Sequence, residues 1–211
     1  MSAAVALDAL DLAALLCSRV CHDLISPAGA IVNGLEVLEE SKDEETKSFA
    51  LDLIRKSAQT ASARLQFCRI AFGAAGSAGA EIDTGDAEKV ARGFIEDDKT
   101  KLAWNLPRVL MAKNRVKLVL NLLVIGTQAI PRGGNLTLDP VGEGPTVGFK
   151  ITATGTNARV PPAQAMFNGG GAGHAIDAHT IQPYYAGLLA AECGLTVSIA
   201  AEGDAIVVAA R

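Results

Sequence analysis

The sequence has no excess of positive charge, no long hydrophobic run and no CxxC motif. Its 211 residues carry 19 basic and 23 acidic side chains, which gives a net charge of −4. A nucleic-acid-binding domain needs a basic surface to neutralise phosphates, so nucleic-acid binding is not expected here.

No apolar run reaches the roughly 20 residues that a membrane-spanning helix requires. The first residues, MSAAVALDALDLAALLCSRV, carry acidic side chains where a secretory signal peptide carries basic ones. The four cysteines include no CxxC pair, which is typical of small buried residues in a reducing compartment. We therefore predict no membrane contact and a cytoplasmic location.

Apolar residues recur at helical spacing from about Leu7 to Glu40, which predicts one long amphipathic helix. Its inward positions are Leu10, Cys17, Val20, Leu24, Ala28, Ile31, Leu35 and Leu38. A second helix is predicted from about Glu45 to Phe72, with Ser41 or Asp43 as its cap. Its inward positions are Phe49, Ile54, Ala58, Ala61, Leu65 and Cys68. A two-helix hairpin cannot bury both apolar faces alone, so we expect a second copy to complete a dimeric four-helix bundle.

The glycine-rich stretch GAAGSAGA, residues 73–80, separates this hairpin from a segment with a different pattern. Short helices and strands then alternate: AEKVARGFI behind a Thr84 or Asp86 cap, KLAWN, RVKLVLNLLVIGTQAI, NLTLDP, VGFKITATG, IQPYYAGLLAAECG and the hairpin LTVSIAAEGDAIVVAA. This order predicts an α/β sandwich with a largely antiparallel sheet. The fold class is therefore α+β, with one domain in residues 1–75 and another in residues 80–211.

His22 and Asp23 lie within the first predicted helix, and Pro27 follows five residues after the histidine. On a helical wheel His22 falls in a polar sector of roughly 80°, nearly opposite the apolar stripe. The same sector holds Asp11, Ser18, Ser26, Gly29, Asn33 and Glu36. The imidazole should therefore face outward, and the small residues around it would let a partner protein approach closely.

An outward imidazole beside a carboxylate is suited to nucleophilic chemistry. Asp23 can accept a hydrogen bond from one ring nitrogen of His22, which fixes the tautomer and leaves the lone pair of the other nitrogen for attack on phosphorus. Pro27 has no N–H, so the carbonyl of Asp23 loses its helical partner. This predicts a bend just beyond the histidine.

The motif His-(Asp or Glu)-Leu-x-x-Pro in the first helix of a hairpin resembles the phosphoacceptor motif of sensor histidine kinases. Here it reads HDLISP, residues 22–27. The C-terminal segment resembles the ATPase domain of those kinases, with its nucleotide-binding residues replaced. Asn121 matches the first asparagine of one box, but Ile125 stands where a second asparagine would hold magnesium. Ala153 stands where an aspartate would read adenine.

The stretch FNGGGAGHAIDAH, in place of the glycine-rich lid, has no lysine or arginine nearby. Glycines alone are a weak phosphate signal, and the alternative that these are loops of an unrelated α/β domain stays open. His174 and His179 lie in this stretch at a spacing that fits neither one helix face nor a standard metal site. No metal and no bound cofactor are therefore expected.

The chain is similar to the alphaproteobacterial histidine phosphotransferases of the ChpT type. The similarity lies in the HDLISP motif, the chain length and the replacement of the ATP-binding residues. The resemblance implies a homodimer that acts as a phosphorelay intermediate and a phosphotransferase. His22, assisted by Asp23, would take a phosphoryl group from the receiver domain of a hybrid histidine kinase. It would pass the group to the receiver domain of a response regulator, which is CtrA-like and controls the cell cycle in the best-known systems.

The resemblance also implies that the receiver domain supplies the Mg²⁺ and docks on the hairpin. The docking residues that it indicates are Arg19, Ser26, Gly29 and Asn33. Arg19, one turn before His22, could also steady the charge of the transferring phosphoryl group.

Two other functions stay open on the sequence. One is an autokinase that binds ATP despite the missing boxes, which stable labelling of His22 by ATP would reveal. The other is a non-catalytic dimeric scaffold, which full phosphorelay in a His22→Ala variant would favour.

Overall fold

Two long helices precede a mixed segment of short helices and strands. The computed structural model describes residues 6–73, 79–142, 147–163, 166–167, 176–178 and 180–211. The elements in chain order are α1 (Ala9–Glu40), α2 (Glu44–Ala71), β1 (Glu81–Asp83), α3 (Thr84–Ile95), β2 (Thr100–Trp104), β3 (Leu110–Ala112), α4 (Lys113–Ala129), β4 (Gly134–Val141), β5 (Gly148–Thr154), α5 (Ile181–Glu192), β6 (Val197–Glu202) and β7 (Ala205–Ala210). The predicted α+β class is confirmed.

Both long helices begin at an aspartate cap. The side chain of Asp8 accepts hydrogen bonds from the N–H groups of Leu10 and Asp11, each at 2.8 Å. Asp43 accepts from the N–H of Thr46 at 2.9 Å, so Asp43 and not Ser41 caps α2. Helix α1 runs on through Pro27 without interruption, and the predicted bounds of both helices agree with the structure to within two residues.

The two helices pack against each other through small side chains. Of the residues in α1, all of which the structure describes, Pro27 and Gly34 are buried. A Cβ atom at position 34 would lie 2.7 Å from Cγ1 of Ile54 and 3.4 Å from the carbonyl oxygen of Ala50. Glycine therefore permits a close approach of α1 and α2 that a larger side chain would prevent.

Several residues predicted to face inward are exposed on the single chain. Phe49 is 67% exposed and Leu65 is 52% exposed, and Leu10 and Leu35 also lie on the surface. Cys17, Ala28 and Ala58 are exposed as well. The contact between two helices covers only a narrow stripe of each, so a single hairpin leaves these positions exposed.

A five-stranded sheet with the order β2-β4-β5-β7-β6 forms the C-terminal half. β2 pairs with β4 in parallel, and the other three pairings are antiparallel. The sheet is therefore largely antiparallel, as predicted. The β6–β7 hairpin turns at Gly203, whose φ of 61° suits glycine. A separate antiparallel pair, β1 with β3, was not predicted because strands of three residues are too short to show alternation.

Helix α4 is the centre of the hydrophobic core. It buries residues on every side from Val116 to Gly126, and alternate residues of β4 and β5 are fully buried in the same cluster, among them Leu136 and Ile151. Three residues near the end of α2 belong to this core as well: Phe67, Ile70 and Ala71. The Phe67 ring stacks on Phe94 of α3 with 4.1 Å between centroids.

The end of α2 is thus packed against α3 and α4. The predicted domain boundary at residues 73–80 lies mostly in residues 74–78, outside the described residues. Helix α3 begins after Asp83, whose side chain accepts from the N–H of Gly85 at 2.7 Å, and not after the predicted Thr84 or Asp86 cap.

By length and composition, α1 could cross a membrane, although the sequence predicts no membrane-spanning run. Almost none of its most apolar window is buried. However, Arg19 and Asp23 lie near the middle of the helix, and charged side chains are costly at the centre of a bilayer. Length and apolar composition alone are therefore weak evidence that α1 spans a membrane.

We expect Gly34→Val to lower the melting temperature, because the added methyl groups would meet Ile54 and the backbone of Ala50. Overpacking of this kind typically costs about 1–3 kcal/mol. Thermal unfolding followed by circular dichroism measures the effect.

Gly29→Ala is the matched control for this substitution. A Cβ atom at position 29 meets nothing within 4 Å, and alanine is the better helix former by about 1 kcal/mol. The melting temperature of this variant should stay the same or rise. An equal loss in both variants would contradict the close approach at Gly34.

Candidate active site

His22 lies on the outer face of α1, as the helical wheel predicts. Its side chain is 60% exposed. The other residues of the predicted polar sector are exposed too: Asp11, Ser18, Ser26, Gly29, Asn33 and Glu36. The imidazole is therefore open to a macromolecule that approaches α1 from this side.

The carboxylate of Asp23 lies between His22 and Arg19. Oδ1 of Asp23 is 3.4 Å from Nδ1 of His22, and Oδ2 accepts a hydrogen bond from Nε of Arg19 at 3.1 Å. The Asp23 side chain is 13% exposed, so bulk water screens these contacts only partly. Arg19 and Asp23 are four residues apart, which places them one above the other on the helix.

The main-chain oxygen of Asp23 has a partner from the other helix. Position 27 would normally supply an N–H to this oxygen, but Pro27 has none. Nη1 of Arg64 in α2 donates a hydrogen bond to it instead. The sequence predicts that Pro27 leaves the carbonyl of Asp23 without its helical donor, and in the structure a side chain of α2 supplies that donor.

The predicted docking residues occupy different surroundings. Ser26, Gly29 and Asn33 are exposed on the His22 face of α1, about one, two and three turns further along the helix. Arg19 is largely covered and its guanidinium is bound to Asp23, so it belongs to the histidine site itself.

Sequence reasoning missed two residues near His22. Arg64 could not be found because the register between two antiparallel helices is not visible in either helix alone. Ile25, three residues after His22, is an exposed aliphatic side chain on the same side of α1. Ile25 was not recognised because an exposed isoleucine cannot be told from a buried one among the apolar residues of α1.

Cys68 is the buried thiol near this site. Burial, followed by the charge of Asp23, raises the pKa of Cys68 to about 11. The thiol is therefore protonated at neutral pH, and a protonated thiol is a poor nucleophile.

The positions that the sequence resemblance matches to the kinase nucleotide boxes belong to the hydrophobic core. Ile125 and Ala153 are fully buried. A Cβ atom at Gly126 would lie 2.9 Å from Cγ2 of Ile151, so α4 rests directly on the sheet here. Neither the side chain of Ile125 nor that of Ala153 offers an oxygen or nitrogen atom to a magnesium ion or to adenine, so these side chains do not fit a nucleotide.

Asn121, which the sequence resemblance matches to an asparagine of one nucleotide box, forms structural contacts. Its Nδ2 donates to the carbonyl of Ala71 at 3.2 Å and to that of Lys117 at 2.9 Å. Its Oδ1 accepts from Nε2 of Gln182 at 3.4 Å. The buried amide thus joins the end of α2 to α4 and α5.

No group of three or more histidine, cysteine or acidic side chains with a geometry for metal binding occurs in the described part of the chain. His174 and His179, together with most of the glycine-rich stretch around them, lie outside the described residues.

The chain is similar to known phosphotransferases over its whole length. A family model described as "Histidine phosphotransferase C-terminal domain" matches residues 84–205. The protein phosphotransferase ChpT of Brucella abortus (strain 2308) is 54% identical over 212 residues, which cover all of both chains. A solved structure described as a bacterial phosphotransferase superposes with a TM-score of 0.90 at 51% identity, again over all of both chains.

The outward imidazole with its adjacent carboxylate agrees with the full-length similarity to a phosphotransferase. The chain belongs to the ChpT-type histidine phosphotransferases, phosphorelay proteins whose partners are receiver domains.

Proposed function

We propose that His22 carries the phosphoryl group between two receiver domains. The donor is the receiver aspartate of a hybrid histidine kinase, and the acceptor is the aspartate of a response regulator, CtrA-like and connected with cell-cycle control. The observation that supports this role most directly is the exposed imidazole of His22 with Nδ1 turned to the carboxylate of Asp23.

The chemistry requires a neutral imidazole with its proton on Nδ1. Nε2 then attacks phosphorus, an N–P bond forms, and the O–P bond to the donor aspartate breaks and leaves a carboxylate. The ring becomes positively charged because Nδ1 keeps its proton, and Asp23 stabilises that charge. The resting distance of 3.4 Å is long for a hydrogen bond, and such contacts often tighten only in the reacting complex.

The protein needs no nucleotide site of its own in this scheme. The receiver domain supplies the Mg²⁺ and the reacting aspartate, and positioning accounts for most of the catalysis in phosphoryl transfer. The filling of the nucleotide positions by Ile125 and Ala153 supports this division of roles. Exchange with receiver domains would take place in the cytoplasm.

The docking face runs along α1 from His22. Ser26 and Gly29 leave room for a helix of the receiver, and Asn33 offers hydrogen bonds at the far end. Ile25 adds an apolar contact that a receiver would cover.

A second copy of the chain would pair with the hairpin to form a four-helix bundle. Apolar residues stay exposed at seven-residue spacing on both helices: Ala14, Cys21, Ala28 and Leu35 on α1, and Leu51, Ala58 and Leu65 on α2. This spacing is the seam pattern of paired helices. A groove of about 550 Å³, lined mainly by apolar side chains that include Val20, Leu65 and Phe72, follows the same side.

His22→Ala should abolish labelling by a phosphorylated receiver domain, because the variant lacks the nucleophile. The measurement is incubation with a ³²P-labelled receiver and Mg²⁺, followed by mapping of the acid-labile label. Ser18→Ala, on the same exposed face, is the control and should label normally.

Two outcomes of this experiment favour the other functions. Full relay through His22→Ala would indicate a scaffold. Stable labelling of His22 by ATP and Mg²⁺ without any receiver would indicate an autokinase.

Asp23→Ala should keep the label on His22 but slow its transfer by about 10²-fold, because the ring loses the acceptor that orients it and stabilises its charge. Rapid-quench measurement of the transfer rate tests this. Asp52→Ala is the control, since Asp52 forms an ion pair with Arg55 on the exposed side of α2, and its rate should not change.

Leu65→Asp should convert the dimer into a monomer, because a carboxylate would be buried in the seam between the hairpins. Light scattering after size-exclusion chromatography measures the mass. Gln66→Asp adds the same charge one position further around the helix and should leave the dimer intact. A monomeric unmutated protein would contradict the four-helix bundle.

A further inference from the structure

The hydrogen bond from Arg64 to the main chain of Asp23 joins α2 to the residue beside His22. Nη1 of Arg64 donates to the carbonyl oxygen of Asp23, the oxygen that Pro27 cannot serve. The contact links residues 41 positions apart in the sequence. The contact therefore depends on how α1 and α2 are placed relative to each other beside the histidine.

Asp23 is held at two points by this arrangement. Arg64 holds its main-chain oxygen, and Arg19 holds Oδ2 of its carboxylate at 3.1 Å. Oδ1 then faces Nδ1 of His22. A shift of the Asp23 backbone would move the carboxylate and the histidine together, because the two residues are adjacent in the chain.

We propose that Arg64 is a positioning residue for phosphoryl transfer. It acts through the carbonyl of Asp23 and holds the carboxylate where it selects the Nδ1–H tautomer of His22. This inference rests on the proposed role of His22 as the phosphoryl carrier. Arginine suits the task because a long side chain with several rigidly arranged donors can reach across a helix pair and remain oriented.

The surroundings of Arg64 also allow a second role, direct contact with the receiver, and the experiment must distinguish it from positioning through Asp23. Arg64 also lines a polar cleft of about 710 Å³ between α2 and the loop after α3, with Lys56, Thr60, Glu96 and Asp97 among its walls. From this cleft the guanidinium could contact a docked receiver or its phosphoryl group directly. The contact with Asp23 favours the positioning role, because it exists in the chain by itself.

Arg64→Ala should slow transfer from a phosphorylated receiver by about 10- to 100-fold, the loss expected when a reacting group is misplaced rather than removed. Its His22 ring should also show a changed Nδ1–H to Nε2–H ratio in ¹⁵N NMR spectra. Arg64→Lys should restore part of the rate. Arg55→Ala is the matched control, since Arg55 lies on the same helix and pairs only with Asp52 among the contacts described.

The decisive comparison measures the effect of Arg64→Ala in a protein that already carries Pro27→Ala. An N–H at position 27 can bond to the Asp23 oxygen within α1, so the carbonyl no longer depends on Arg64. In this background Arg64→Ala should change the rate by no more than about twofold, a strong coupling between the two positions. The tautomer ratio should likewise stop responding to Arg64→Ala.

Two results would overturn the proposal. If the full loss from Arg64→Ala persists in the Pro27→Ala background, Arg64 acts on the receiver and not through Asp23. If Arg64→Ala transfers at the unmutated rate with an unchanged tautomer ratio, it has no part in the reaction. Normal labelling of His22→Ala would instead remove the proposed function itself. Circular dichroism of each variant confirms that the chain is folded.

Discussion

The contact between α1 and α2 at Asp23 determines how the histidine site is built. A proline within a helix leaves one carbonyl without its usual donor, and a carbonyl without a partner in a partly covered interface is costly. Here α2 supplies the donor through Arg64. The cost of the proline inside α1 is thus offset by a bond that also holds the residue next to His22 in place.

The remaining features of the hairpin are consistent with this contact. Gly34 allows the helices to approach closely beyond Pro27, and the ion pair of Arg19 with Asp23 covers the carboxylate on its other side. His22 remains exposed although its neighbour is largely covered. A nucleophile that must reach an aspartate inside another protein needs this combination of an accessible ring and a rigid support.

The positions of the C-terminal half that resemble the nucleotide boxes of kinases take part in packing. Ile125 and Ala153 are core residues, and the amide of Asn121 joins α2, α4 and α5. The core also includes Phe67 near the end of α2, which stacks on Phe94. The sheet domain therefore supports the base of the hairpin, and the transfer chemistry that we propose requires nothing more from it.

The helices, most of the strands and the outward direction of His22 could be predicted from the sequence, because periodicity is a local property of the chain. The bounds of α1 and α2 and the exposed face around Ser26, Gly29 and Asn33 follow from it. Exposure of Phe49 and Leu65 could not be predicted, since a stripe of apolar residues does not reveal which part a single partner helix covers. The three-residue strands β1 and β3 were too short to be recognised.

Local order, the HDLISP motif and the apolar side chains of Ile125 and Ala153 were thus determined by the sequence itself. Only the tertiary structure decided that Arg64 meets the carbonyl of Asp23 and that the end of α2 belongs to the C-terminal core. The physical reason is that helix periodicity depends on neighbours a few residues apart. The register between two helices depends instead on side chains that are distant in the chain and meet only after both helices have formed.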